Sequence, residues 1–117
     1  MVYTPGKHLI VTLDSAELQN IVSYQPFKVF ADHLVAKYQL QKLGEVYHDF
    51  SPQGFTGVVC LSESHLSVHT WPENGKVNLD IYLSNHLRNN DDVVMKIYHE
   101  LEIFFRGSVV QKQIISR

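Results

Sequence analysis

Cysteine is nearly absent from this 117-residue chain: Cys60 stands alone, which excludes an internal disulfide and any zinc site built on several thiolates. Charge of one sign is lacking too. Ten Lys and Arg residues face 12 Asp and Glu, a formal net charge of −2 with histidine neutral, so there is no basic footprint for a polyanion and no nucleic acid is expected as a partner. No apolar run approaches the roughly 18 residues that suggest a membrane span. The opening segment MVYTPGKHLIVTLDS has neither the apolar stretch nor the cleavage pattern of a secretory signal, so the expectation is a cytoplasmic protein without membrane contact. The length suits a single domain over residues 1–117. A domain of that size closes one core and leaves little surface for a deep pocket, unless a second subunit supplies the missing walls.

Hydrophobic periodicity divides the chain. Residues 7–13, KHLIVTL, are short, apolar and rich in β-branched side chains, with Asp14-Ser15 behind them as a turn or cap, and read as a strand. Over PFKVFADHLVAKYQLQKL, Pro26 to Leu43, the residues Phe27, Phe30, Leu34, Val35 and Tyr38 recur at three- and four-residue spacing, which predicts an amphipathic helix ended by Gly44. Four strands follow in close order, GEVYHDF, TGVVCLS, SHLSVHTW and VNLDIYL, punctuated by Pro-Gln-Gly, Ser-Glu and Pro-Glu-Asn-Gly. Beyond SNHLRNNDD, whose Asn and Asp residues suit a first helical turn, Val93, Val94, Ile97, Tyr98, Leu101, Ile103 and Phe104 share one broad helical stripe up to Gly107, and SVVQKQIIS reads as a last strand. The order β-α-β-β-β-β-α-β predicts an α+β fold: a two-layer α/β sandwich, its sheet mostly antiparallel, with both helices on one face.

The stretch LSESHLSVHTWPEN, residues 61–74, carries more hydroxyls and imidazoles than a strand requires. His65 and His69 are four apart and project to one face, with Ser67 between them. Two imidazoles on one face bind zinc when other ligands join them, but spacing marks no third ligand, and no metal is expected. Ser62, Ser64 and Ser67 lie near two possible bases, yet Gly-x-Ser-x-Gly is absent and a triad is a spatial arrangement that one strand does not display. A strand with one solvated polar face and an apolar face of Leu66 and Val68 accounts for the same alternation.

As a whole, GVVCLSESHLSVHTWPE resembles the signature of the bacterial and archaeal S-adenosylmethionine decarboxylases, small pyruvoyl-dependent enzymes of polyamine (spermidine) synthesis. The resemblance rests on Glu63-Ser64-His65 joined to His69-Thr70-Trp71-Pro72-Glu73, with support from GKHLIV and YHDFSPQGFTG, and spans Lys7 to the final strand. It implies the same two-layer sandwich. It further implies that Ser64 attacks the carbonyl of Glu63, that the ester undergoes β-elimination, and that the chain splits between Glu63 and Ser64, leaving Ser64 as an N-terminal pyruvoyl group, the only cofactor. His69 takes the place of the family's processing base, since a serine hydroxyl is a weak nucleophile at neutral pH. Thr56 stands where the family carries a helping serine. Phe50 matches an aromatic that stacks on the substrate adenine, Glu73 a carboxylate that binds the ribose hydroxyls, and Leu66 a leucine of the same pocket. On their own, Phe50 and Leu66 read as core side chains and Glu73 as a solvated turn carboxylate; Trp71 and Pro72 read as shaping the turn. The pyruvoyl carbonyl would take the α-amine of S-adenosylmethionine and act as an electron sink as carbon dioxide leaves. Strand parity adds that Ser64 and His69, five apart, face opposite sides of a regular strand. Either the chain bends at the cleavage point or His69 serves a second subunit, and the resemblance implies a homodimer of processed two-chain protomers.

The chain departs from the family downstream. Where the family reads Asp, apolar residues and then Thr-Cys-Gly, with the cysteine as proton donor, Asp80 is kept but Leu83-Ser84-Asn85 follows, so the acid position is Ser84. An alcohol donates far less readily than a thiol near pKa 8.5. Cys60 lies in GVVCL, which reads as a buried strand, and is expected to be a small core residue. Three readings follow: Ser84 relays a proton from water or His86, the substrate is arginine or ornithine, or the chain is a non-catalytic binding or regulatory homologue. The intact Glu63-Ser64 and His69 favour a processed enzyme.

Overall fold

The computed structural model describes residues 3–117. Its elements are β1 (Lys7–Ser15), α1 (Gln25–Lys37), β2 (Lys42–Asp49), β3 (Phe55–Leu61), β4 (Ser64–Trp71), β5 (Lys76–Leu83), α2 (Asp91–Phe104) and β6 (Gly107–Ser116), with single 3₁₀ turns at Leu18–Asn20 and Pro72–Asn74. This is the order that periodicity predicts. One six-stranded sheet runs β2-β3-β4-β5-β1-β6, and every adjoining pair is antiparallel.

Alternation along the strands sorts the two faces. Leu9, Val11 and Leu13 of β1, Val59 and Leu61 of β3, Leu66 and Val68 of β4, and Leu79 and Ile81 of β5 are buried in one core cluster with Phe27, Ala31 and Leu34 of α1 and Val94, Ile97, Tyr98 and Leu101 of α2. A fully buried side chain of this size contributes about 1.5–3 kcal/mol relative to an exposed one, which is why the helices settle on this face. The opposite face, with Val58 and Cys60 of β3 and His65, Ser67 and His69 of β4 side by side, carries no helix; Val46, Val58 and Trp71 on it are exposed. Cys60 corrects the sequence-based expectation: it is exposed, because the buried positions of β3 are the odd-numbered ones.

The helix ends also differ. α1 stops at Lys37, six residues before the expected end, because Gln39 takes a left-handed φ of 55° and the Gln39 and Leu40 N–H groups donate to the Ala36 and Val35 carbonyls. That is a Schellman closure on a non-glycine residue. Gly44, expected as the stop, lies inside β2 beside a bulge. At the other helix Arg106, with φ 46°, makes the left-handed exit rather than Gly107. Gly107 is required for packing instead, since a Cβ there would come within 2.8 Å of the Leu13 side chain.

Candidate active site

β3 and β4 form a tight hairpin in which Leu61 pairs with Ser64, so that Ser62 and Glu63 are its two loop residues. Two-residue hairpin loops that match strand twist place positive φ within the loop. Here the positive angle falls one residue later, on Ser64, whose φ is 141°. A non-glycine residue in such a region stores about 1–3 kcal/mol and persists only where its surroundings hold it. They hold it from β5 and the loop behind it. The Ser84 N–H donates to the Glu63 carbonyl at 2.7 Å. The Glu63 side chain is 8% exposed, and its carboxylate accepts Arg88 Nε at 3.3 Å, Arg88 Nη2 at 3.1 Å and a short bond from the Asn90 amide. Arg88 is tied down in turn by the Tyr38 and Gln39 carbonyls, and Asn90 by the Ser84 carbonyl.

Ser64 Oγ lies 3.3 Å from Nδ1 of His65. Burial, reinforced by the neighbouring His8, holds the His65 imidazole below the usual histidine range, against a smaller opposing pull from Asp80. Behind it, His8 is buried with its Nε2 unpartnered among the described residues and 3.6 Å from a carboxylate oxygen of Asp80. His8, His65 and Asp80 bring potential ligand atoms within 4.8 Å of one another, a grouping that spacing along one strand does not display. Arg117 reaches His8 Nδ1 at 3.2 Å; a guanidinium only donates, so Nδ1 accepts there and the ring turns its Nε2–H toward Asp80, as a donor rather than as a ligand lone pair.

His69 is elsewhere. Five residues along β4 is roughly 16 Å, and its Nδ1 sits 2.5 Å from Thr56 Oγ1 on the adjoining strand. The two line a cleft of about 450 Å³ together with Phe50, Trp71 and Glu73. Its wall is anchored by Thr70, whose hydroxyl donates to the Ile21 carbonyl and accepts the Phe55 N–H. Within one chain the residues therefore form two groups: Glu63, Ser64 and Ser84 at one end of β4, and Thr56, His69, Phe50 and Glu73 at the other. Phe50 is exposed and lines the cleft rather than the core. Leu66 lies in the core beneath the helices, and Trp71, read as a turn residue, forms part of the cleft wall.

Arg88 and Asn90 escaped the sequence reading. Asn90 announces itself as a helix cap, yet it makes no side-chain capping bond and turns its amide onto Glu63. Arg88 stands 25 residues from Glu63 with no pattern linking them. His65 was legible as one member of a possible metal pair, as one of two possible bases near the serines and as part of the Glu63-Ser64-His65 signature, but its contact with Ser64 was not.

Residues 7–117 match the family model for S-adenosylmethionine decarboxylase. The S-adenosylmethionine decarboxylase proenzyme of Archaeoglobus fulgidus is 43% identical over 77 residues, 66% of this chain and 69% of that protein. That of Picrophilus torridus is 32% identical over 116 residues, covering 93% of this chain and 89% of the relative. Among solved structures, the crystal structure of the adenosylmethionine decarboxylase from Aquifex aeolicus superposes with a TM-score of 0.85 at 27% identity, covering 99% of this chain and 92% of that one. Matched along its length by the family model and by these relatives, the chain belongs to the S-adenosylmethionine decarboxylase family.

Proposed function

We propose that the chain is a cytoplasmic proenzyme that cuts itself between Glu63 and Ser64 and then decarboxylates S-adenosylmethionine for polyamine synthesis. The observation that carries this reading is the junction itself: Ser64 at φ 141°, with the carbonyl it would attack already receiving the Ser84 N–H at 2.7 Å. A backbone donor on that oxygen stabilises the charge that develops when the hydroxyl adds to the carbonyl carbon. The residues present fit a pyruvoyl group made from Ser64, since the hairpin leaves it at a strand end with its hydroxyl directed at His65. Such a group supplies a carbonyl that takes the substrate amine and accepts an electron pair as carbon dioxide leaves.

Separation of the two residue groups along β4 supports a two-fold dimer with shared sites. In the proposed dimer the helix-free faces meet, exposed Val46, Val58 and Trp71 are covered, and Thr56 and His69 of one protomer serve Ser64 of the other. His69, oriented by Thr56, then acts on Ser64 across the interface during elimination. Phe50 and Glu73 offer an aromatic face for the adenine and an acceptor for the ribose hydroxyls; Leu66 backs the sheet from the core. Ser84 sits at the junction as proton donor. The exposure of Cys60, opposite His65 on the helix-free face, makes its thiol the second candidate for that proton.

Intact-mass measurement tests the reading: two polypeptides are expected, one ending at Glu63 and one starting with a pyruvoyl group, and carbon dioxide is expected from S-adenosylmethionine. A chain that stays whole would favour the non-catalytic homologue, and release only from arginine or ornithine would move the substrate. Mixing Ser64→Ala with His69→Ala chains tests the shared site, because each mixed dimer regains one intact junction and cleaves its single Ser64-bearing chain, so that about half of the Ser64-bearing chains of an equal, randomly paired mixture are cut.

A further inference from the structure

We infer that His65 is the base of the first half of self-cleavage, acting within its own chain on the Ser64 hydroxyl. The inference rests on the self-cleavage reading and divides its chemistry between two histidines. His65 Nδ1 is 3.3 Å from Ser64 Oγ, whereas His69 is bonded to Thr56 roughly 16 Å along the strand. The acceptor and the nucleophile are neighbours in sequence. The Ser64 φ of 141° is what turns the serine, which alternation would aim at the helix side with Leu66, toward the ring.

The step balances without a co-reactant. The Oγ–H proton passes to His65 Nδ1 as Oγ bonds to the Glu63 carbonyl carbon, closing a five-membered ring whose oxyanion is held by the Ser84 N–H. The carbon–nitrogen bond then breaks, the Ser64 nitrogen takes the proton back from His65, and an ester joins Glu63 to Ser64 Oγ. His65 ends neutral, as it began. Two features suit it to this exchange. It is neutral at neutral pH, because burial and His8 oppose the imidazolium, and Glu63 is clamped by Arg88 and Asn90, so its carbonyl does not drift from the hydroxyl. The groups facing the ring are His8 from β1, Cys60 from β3, Asp80 and Tyr82 from β5 and Arg117 beyond β6. Of these, Asp80 alone pulls its pKa upward.

The test follows freshly translated chains over time with and without hydroxylamine, which cleaves an ester but leaves the amide. His65→Gln is expected to slow the appearance of the hydroxylamine-sensitive bond by roughly 100-fold or more, the usual weight of a general base. Added imidazole is expected to restore part of the rate in His65→Gly. The parent needs no mutation to report: its ester-forming rate should fall on the acid side with an apparent pKa below that of ordinary histidine, and Asp80→Asn should move that limb to still lower pH. Ester formation at the parental rate in His65→Gln, or a parent rate with no acid limb anywhere below neutral pH while the chain stays folded, overturns the assignment. A parent that forms neither ester nor fragments overturns the self-cleavage reading and this inference with it.

Discussion

Replacing Arg88 by Ala removes two charge-assisted hydrogen bonds from a carboxylate whose side chain is 8% exposed. Breaking a fully buried ion pair from one side costs about 3–5 kcal/mol, because a charge is left without compensation. Two facts reduce that figure here. The arginine side chain is 37% exposed, so water enters where it leaves, and the Asn90 amide continues to serve the carboxylate. We therefore expect Arg88→Ala to lose about 2–3 kcal/mol, near the value of one or two hydrogen bonds to a charged group. The measurement is urea unfolding at pH 7 in a Ser64→Ala background, which keeps every chain whole, at one fixed protein concentration so that association does not enter the difference. Pairing Arg88→Met with Glu63→Met should recover much of the loss, since a buried ion pair replaced by apolar residues of similar size is often neutral. A second consequence follows in chains that retain Ser64. If the clamp holds the junction against about 1–3 kcal/mol of backbone strain, its loss relaxes the serine and slows self-cleavage by roughly 10-fold, each 1.4 kcal/mol being a factor of ten. An Arg88→Ala chain within about 0.5 kcal/mol of its background and cleaving at the parental rate would refute the reasoning, because surface substitutions behave in that way.

Ser84→Cys is expected to raise decarboxylation severalfold while leaving the extent of self-cleavage unchanged; if the basal rate falls in Cys60→Ser and not in Ser84→Ala, the thiol on β3 is the donor. Phe27→Ala, which empties a fully buried site among Phe55, Phe104 and Phe105, should cost about 3–5 kcal/mol by urea unfolding. Acid stability should depend on the network joining α1 to β2. Bonds from Lys42 to Asp32 and from Lys28 to Glu45 hold both carboxyls below their usual range. A depressed folded pKa stabilises above the unfolded value, about 4 for either group, and the gain disappears as pH falls through the folded values. Asp32→Asn with Glu45→Gln should therefore be less stable than the parent at pH 7, and the gap should close toward pH 3; a gap that persists at pH 3 would show that the contribution is not electrostatic.

Much of the architecture was legible because it depends on short-range pattern. The alternation of Leu66 and Val68 with Ser67 and His69 states which side of β4 is buried, and the three- and four-residue recurrence of Phe27, Phe30 and Leu34 states that α1 is a helix. The end of α1 was not legible, because Gln39 takes the left-handed position that glycine usually marks. The exposure of Cys60 was not legible either: GVVCL is apolar throughout, and only the position of the helices decides which of its alternating faces is covered.

The sequence by itself determined the order of elements and the family, since these lie in local periodicity and in one contiguous motif. Tertiary structure decided which side chains act together. It brought Ser84, Arg88 and Asn90 onto Glu63, set His65 rather than His69 beside Ser64, and placed His69 with Thr56 in a cleft at the far end of the same strand. The physical reason is that a hydrogen bond across 25 residues leaves no mark in either chain segment. It exists only once strand pairing has fixed where the two segments meet.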